Sequence, residues 1–241
     1  MDVIGALVVG LIVAVDVVAL VGLADIPPRA RAVAAGLAAA WLAGIVGFAA
    51  LGGFAPGAAG PVPTPVVPFA VFVIAGAIAW NAWPAFRAAL LSVPLSALVG
   101  INVFRVAGAF FVLLWMQDRL AAPFAPSAGF GDVITGLVAM PLALAIARGR
   151  IPSRARLALW NAFGTLDLVA AIAFGALSAP GAPFRIFTHE PGTLAMTMLP
   201  WVIVPTFLVP LYLLTHLIVA TRLRALHRGD TPMPLARGLP A

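Results

Sequence analysis

Arg105 and Asp167 each sit near the middle of a stretch apolar enough to cross a bilayer. A charge at that depth is costly, so it takes a partner or a task. A guanidinium and a carboxylate can neutralise each other as a structural ion pair. They can equally border a wet site for a small solute, an anion or a proton. Asp16, in the first apolar run, lies a few residues from the same depth. It offers a second acid to the one arginine, and a spare carboxyl could exchange protons with a pathway. Helical spacing puts Asn102 and Arg105 on one face with Ala109. It puts Asn161, Gly164, Asp167 and Ala171 on another. The expected polar site is therefore Arg105, Asp167 and Asp16, lined by Asn102 and Asn161, with every stripe turned inward from lipid.

Five further residues are secondary candidates: Asp132, His189, Glu190, His216 and Tyr212. Gly129-Phe130-Gly131-Asp132 matches the GxGD pattern of intramembrane aspartyl proteases. That chemistry needs a second aspartate close by, one carboxyl protonated and one ionised. It also has a Tyr-Asp dipeptide on the preceding helix, and the single tyrosine here is Tyr212. The simpler expectation is that Asp132 caps the N-terminus of a fifth helix near the bilayer edge. His189 and Glu190 fall in a loop, where two adjacent groups without a third make a poor metal site. His216 follows Tyr212 by about one helical turn, which suits a hydrogen-bonded pair near the inner surface. Haem would want a second axial residue on a facing helix. No cofactor and no metal is expected.

Composition sets the frame. Of 241 residues, 63% are hydrophobic and only 9% charged, and the mean hydropathy is +1.11. A soluble domain carries about 25% charged residues, so this chain has too little polar surface to cover itself. It reads as all-α, a polytopic membrane protein with a bundle of about seven transmembrane helices. Cysteine is absent, which excludes disulfides and thiolate chemistry. Lysine is absent too, which excludes a retinal Schiff base. The net charge of +6 comes from arginines between apolar runs. That is a topology signal and not a nucleic-acid footprint.

The spans expected are about 3–23, 32–54, 67–86, 94–116, 131–147, 157–178 and 193–221, with residues 88–93 forming a short surface helix or an early turn of the next span. Pro200, Pro205 and Pro210 should bend or break the last span. Ala32, Gly36, Ala40 and Gly44 recur every fourth residue, a small-residue stripe that admits a neighbouring helix. Residues 1–225 are expected to form one transmembrane domain, and 226–241 a basic, Pro-rich tail. The arginines cluster in alternate connectors, which favours the N-terminus outside and the C-terminus in the cytoplasm. The first apolar run lacks a positive leading region and is long enough to span.

From about Phe104 to Leu217 the chain resembles a set of bacterial multi-pass membrane proteins of unknown function. The residues carrying the resemblance are Phe104-Arg105 with Gly108, Pro123-Phe124-Ala125, and Gly129-Phe130-Gly131-Asp132. They continue with Trp160 to Leu168, the spaced prolines of the last span, and His216-Leu217. The resemblance implies a multi-pass bacterial protein whose last four spans act as one unit, and it implies no activity.

Taken together, the sequence points to a bacterial inner-membrane protein with a polar midplane site, in small-solute or proton-linked transport. The alternative is a non-catalytic structural or partner-binding subunit, a homo-oligomer or a membrane partner seated on the small-residue stripe. A third reading is an outer-face enzyme using Asp132, His189 and Glu190, although the sequence leans away from an enzyme.

Overall fold

The computed structural model describes residues 1–58, 60, 62, 64–150 and 152–227; the 226–241 tail lies almost wholly outside them. The elements are α1 (Asp2–Gly22), α2 (Pro28–Ala50), α3 (Val66–Ala82), α4 (Pro84–Ser92), α5 (Leu95–Gly100), α6 (Ala109–Met116), α7 (Phe124–Ala147), α8 (Arg154–Leu177) and α9 (Val209–His227). No strand occurs among the described residues. Six helices are long and apolar enough to cross a membrane, and up to seven if a bent pair is counted. The protein is an all-α polytopic membrane protein.

That bent pair is α3 with α4, which turn through 103°. The residue before a proline is pushed to extended backbone, and Trp83, before Pro84, has φ −123 and ψ 92. Helix α4 therefore runs across the end of α3, the short surface helix expected over 88–93 but beginning earlier. Its C-terminal carbonyls would otherwise be orphaned. Arg222 of α9, itself buried, donates to the carbonyls of Leu91 and Val93.

Between α5 and α6 the chain stays helical but tightens to 3-10 geometry over Ile101–Gly108. Asn102 Nδ2 donates to the Leu98 carbonyl at 2.9 Å. This occupies the acceptor an α-helical backbone N–H would use and favours the tighter pattern. Helices α5 and α6 with that 3-10 segment make one span, Leu95–Met116.

The last span starts later than expected. Residues 193–203 are turns and a short 3-10 segment, Leu194–Thr197, and regular helix follows a π-turn at Val204–Leu208. The prolines explain this. Pro205 and Pro210 cannot donate to the carbonyls of residues 201 and 206. The freed Thr206 carbonyl accepts Trp41 Nε1 of α2 at 3.2 Å, so a proline in the last span creates the anchor for the second.

The two ends of the bundle differ. One holds Asp2, whose carboxylate accepts Arg119 at 2.9 and 3.2 Å and Trp201 Nε1 at 2.9 Å. The turns around 51–65, 117–123 and 178–193 lie at this end, joined where Ala121 N donates to Gly192 O at 2.9 Å. The other end carries Arg29, Arg31, Arg87, Arg148, Arg150, Arg154, Arg156, Arg222 and Arg224.

Candidate functional site

Helix α7 begins at Phe124, not at Gly131, so Asp132 lies two turns inside it. The expectation of an N-terminal cap is thereby overturned. The Gly- and Pro-containing stretch before Asp132 does not stop the helix, because neighbouring helices in a membrane satisfy the backbone that such residues leave free. The extra turns carry Asp132 to the depth of Arg105, and the two meet.

Arg105 is 2% exposed and uses its guanidinium in four directions. Nε donates to Asp132 Oδ1 at 2.6 Å and Nη2 to Asp167 Oδ2 at 2.5 Å. Nη1 donates to the Gly164 carbonyl at 3.2 Å and to His216 Nε2 at 3.0 Å. A guanidinium has no acceptor, so Nε2 accepts and the imidazole proton sits on Nδ1. Nδ1–H then donates to Asn161 Oδ1 at 3.0 Å. The face of Tyr212 lies 5.9 Å from the guanidinium carbon, within cation–π range. One arginine thus ties the Leu95–Met116 span to α7, α8 and α9.

Backbone must approach closely for so many groups to share one centre, and three glycines allow it. A Cβ at Gly131 would stand 1.7 Å from Asp167 Oδ1, and one at Gly108 would stand 2.4 Å from Asp132 Cβ. A Cβ at Gly164 would stand 2.6 Å from His216 Cε1. The glycines of the GxGD stretch therefore have a packing role. Gly129 lies against Val112 and the Gly108 carbonyl, and Gly131 makes room for a carboxylate from α8.

Other expected residues sit elsewhere. Asp16 is fully buried, and neither of its oxygens has a hydrogen-bond partner. It does not join Arg105; it faces the Tyr212 hydroxyl, with which it interacts electrostatically. Asn102 is buried and bonds Leu98 and, at 3.2 Å, Thr215 Oγ1. It braces the Leu95–Met116 span against α9 and does not touch the guanidinium. His216 was expected to pair with Tyr212 near a surface, but is buried and bonded to Arg105 and Asn161. Trp160 was missed: its ring lies 5.1 Å from that of His216, and its Nε1 holds the Thr135 carbonyl at 3.1 Å. Its place one residue before Asn161 was the available signal.

His189 and Glu190 stay in the 178–193 turn region. Glu190 accepts Arg185 at 2.8 Å, and the His189 carbonyl accepts Arg185 at 3.3 Å. Asp132 is engaged by Arg105 instead, so the three residues of the outer-face enzyme reading belong to two separate hydrogen-bonded groups. No cluster of three metal-ligating side chains occurs among the described residues.

Two cavities meet the site. The larger is a cleft between α3 and α8, floored by α7 and the last span and roofed by the turns around Phe54–Thr64 and Ala179–Gly181. Its empty volume is about 990 Å³ including the open mouth, and Asp132 lies on its wall. The smaller, about 400 Å³, lies on the other side of Phe111 and Val204. It is bordered by Arg105, Tyr212, Val9 and Ile12, and again by Asp132. Asp167 lines neither.

Among the described residues, the stripe on α2 packs against nothing. Ala32, Gly36, Ala40 and Gly44 are exposed, and a Cβ at Gly36 or Gly44 would meet no atom within 4 Å.

No curated protein and no solved structure matches the chain. Residues 62–224, which run from the start of α3 through most of α9 and contain Arg105, Asp132, Asp167 and His216, match a domain of unknown function, and the chain belongs to that family, DUF8737.

Proposed function

We propose that this protein moves a small solute across the bacterial cytoplasmic membrane in a proton-linked manner, with Asp132 as the exchanging carboxylate. The arginine-rich end would face the cytoplasm, as the positive-inside rule favours. The cleft would then open outward.

The observation that carries the reading is the double exposure of Asp132. The same carboxylate that accepts Arg105 lines the cleft on one side and the smaller cavity on the other, with Phe111 and Val204 between them. A group that borders two separate spaces can exchange a proton with one and then with the other when the helices shift. The spans that would shift are irregular at this depth, 3-10 over Ile101–Gly108 and π over Val204–Leu208. Irregular backbone inside a membrane is tolerated where it is buried in protein or lines a cavity, and broken helices are frequent at transport sites. Tyr212 borders the smaller cavity and Asp16 faces it, so the two extend the polar groups past the ion network toward α1.

A pH jump on protein reconstituted in a solid-supported membrane tests this. The wild type should give a transient charge displacement, and Asp132→Asn should abolish it. Asp16→Asn should slow or shrink it. A wild type with no more signal than protein-free lipid would leave Arg105 and its carboxylates a purely structural role.

A further inference from the structure

We infer that the solute taken by the cleft is an apolar organic cation, seated with its single positive charge toward Asp132. This deepens the transport reading and rests on it for the site's location.

Charge is the first argument. Asp132 is the sole ionisable residue among the cleft's described lining residues; none of them is basic. An anionic ligand would find no counter-charge on that wall. Behind Asp132, one guanidinium serves two carboxylates, so with both acids ionised the group lacks one positive charge, which a proton or a bound cation would supply. In a low-dielectric interior that deficit favours either neutraliser, so a cationic solute and a proton compete for the same carboxylate, which is the basis of linkage. The Asp132 side chain is 16% exposed, whereas that of Arg105 is 0% exposed. A ligand in the cleft therefore meets the acid first and the base not at all.

The walls supply the second argument. Phe54, Phe69, Phe111 and Phe124 line the cleft, with Met196 beside them. Aromatic faces attract cations through the ring quadrupole, and the attraction grows when the cation is desolvated. The remaining wall is aliphatic, apart from threonine hydroxyls at Thr64, Thr193 and Thr197. A strongly hydrated metal ion would find too few oxygens there. A cation whose charge is buried in hydrocarbon or aryl groups needs none.

The test uses two ions of equal shape and opposite charge, tetraphenylphosphonium and tetraphenylborate. Each is titrated into the full-length protein in lipid nanodiscs, with empty nanodiscs subtracted. The saturable, protein-dependent component should favour the cation by about tenfold or more, the size expected of one charge contact. Asp132→Asn should remove that preference. Because this substitution also touches the ion network, Ala171→Trp provides a second arm. Residue 171 is on the cleft wall and outside the network, and a bulky ring there should block binding by steric filling. Saturable binding of the borate in preference would overturn the inference, as would equal binding of both ions or cation binding indifferent to both substitutions. The pH-jump signal depends on no organic ligand, so it can persist while this inference fails, and its loss would count against the site reading separately.

Discussion

Helix α2 and the Leu95–Met116 span are equally apolar, with mean hydropathies of 2.0 and 2.1, yet they occupy opposite situations. Of their best membrane windows, 6% of α2 is buried inside the protein against 44% of the Leu95–Met116 span. In lipid the hydrophobic effect does not drive helices together, since acyl chains are as apolar as leucine. What draws the Leu95–Met116 span to the centre is Arg105, which must be satisfied by α7, α8 and α9. Helix α2 carries no charge in its apolar part, where Trp41 bonds the Thr206 carbonyl, and Arg31 at its start holds the Val21 and Ala24 carbonyls. Polar groups decide position inside this bundle, and apolar ones decide only that it enters the membrane.

The largest effect should follow from removing that centre. Arg105→Leu leaves two buried carboxylates without their common donor, and unfolding in detergent should register a loss of about 3–5 kcal/mol. The comparison sharpens if Asp132 and Asp167 are changed to leucine as well. A triple variant carries no buried charge at this site and should regain most of the loss while losing the pH-jump signal. A triple variant as unstable as Arg105→Leu would show that shape, not charge, sets the order of the helices.

A smaller effect should come from Gly131→Ala, which adds one methyl. Its Cβ would lie 1.7 Å from Asp167 Oδ1, so the carboxylate or α8 must move. Overpacking of this kind costs about 1–3 kcal/mol. The distinctive outcome is a weakened Arg105–Asp167 pair with Asp132 still bound, visible as a partial loss of transport signal. An unchanged melting temperature and signal would mean that the close approach of α7 and α8 is not a constraint on the site.

How far the chain could be read in advance follows the same division. Hydropathy located the first, second, fourth and sixth spans within about four residues, because insertion depends on composition along one helix, but it began the fifth seven residues late and the last about eleven residues early. The depth of Arg105 and Asp167 identified them as partners, and they are. Asp132 lies deeper than a cap because Gly and Pro, which stop helices in water by leaving backbone groups to be solvated, do not stop one here, where α7 begins at Phe124. His216 was misplaced because the last span was begun at Thr193, which shifts its depth. Asp16 was assigned to Arg105 on depth alone. Depth fixes height in the membrane and leaves azimuth open, and Asp16 turned out to face Tyr212. The two cavities had no signature in the chain, because their walls come from turns and helices distant in sequence.

The smallest effect separates the two regions most cleanly. Gly36 and Gly131 are both glycines inside apolar helices, and sequence alone gives no reason to treat them differently. A side chain at Gly36 would meet no atom within 4 Å. Replacing it with leucine should change unfolding stability by no more than about 0.5 kcal/mol, as at other sites that touch nothing, and should leave the pH-jump signal intact. The same substitution at Gly131 should be far more disruptive than alanine. If Gly36→Leu proves as damaging as Gly131→Ala in the intact membrane but harmless in dilute detergent, the exposed face of α2 is covered by a second protein chain in the bilayer. In that event the periphery is an interface, and the contrast with the centre narrows to one of charge.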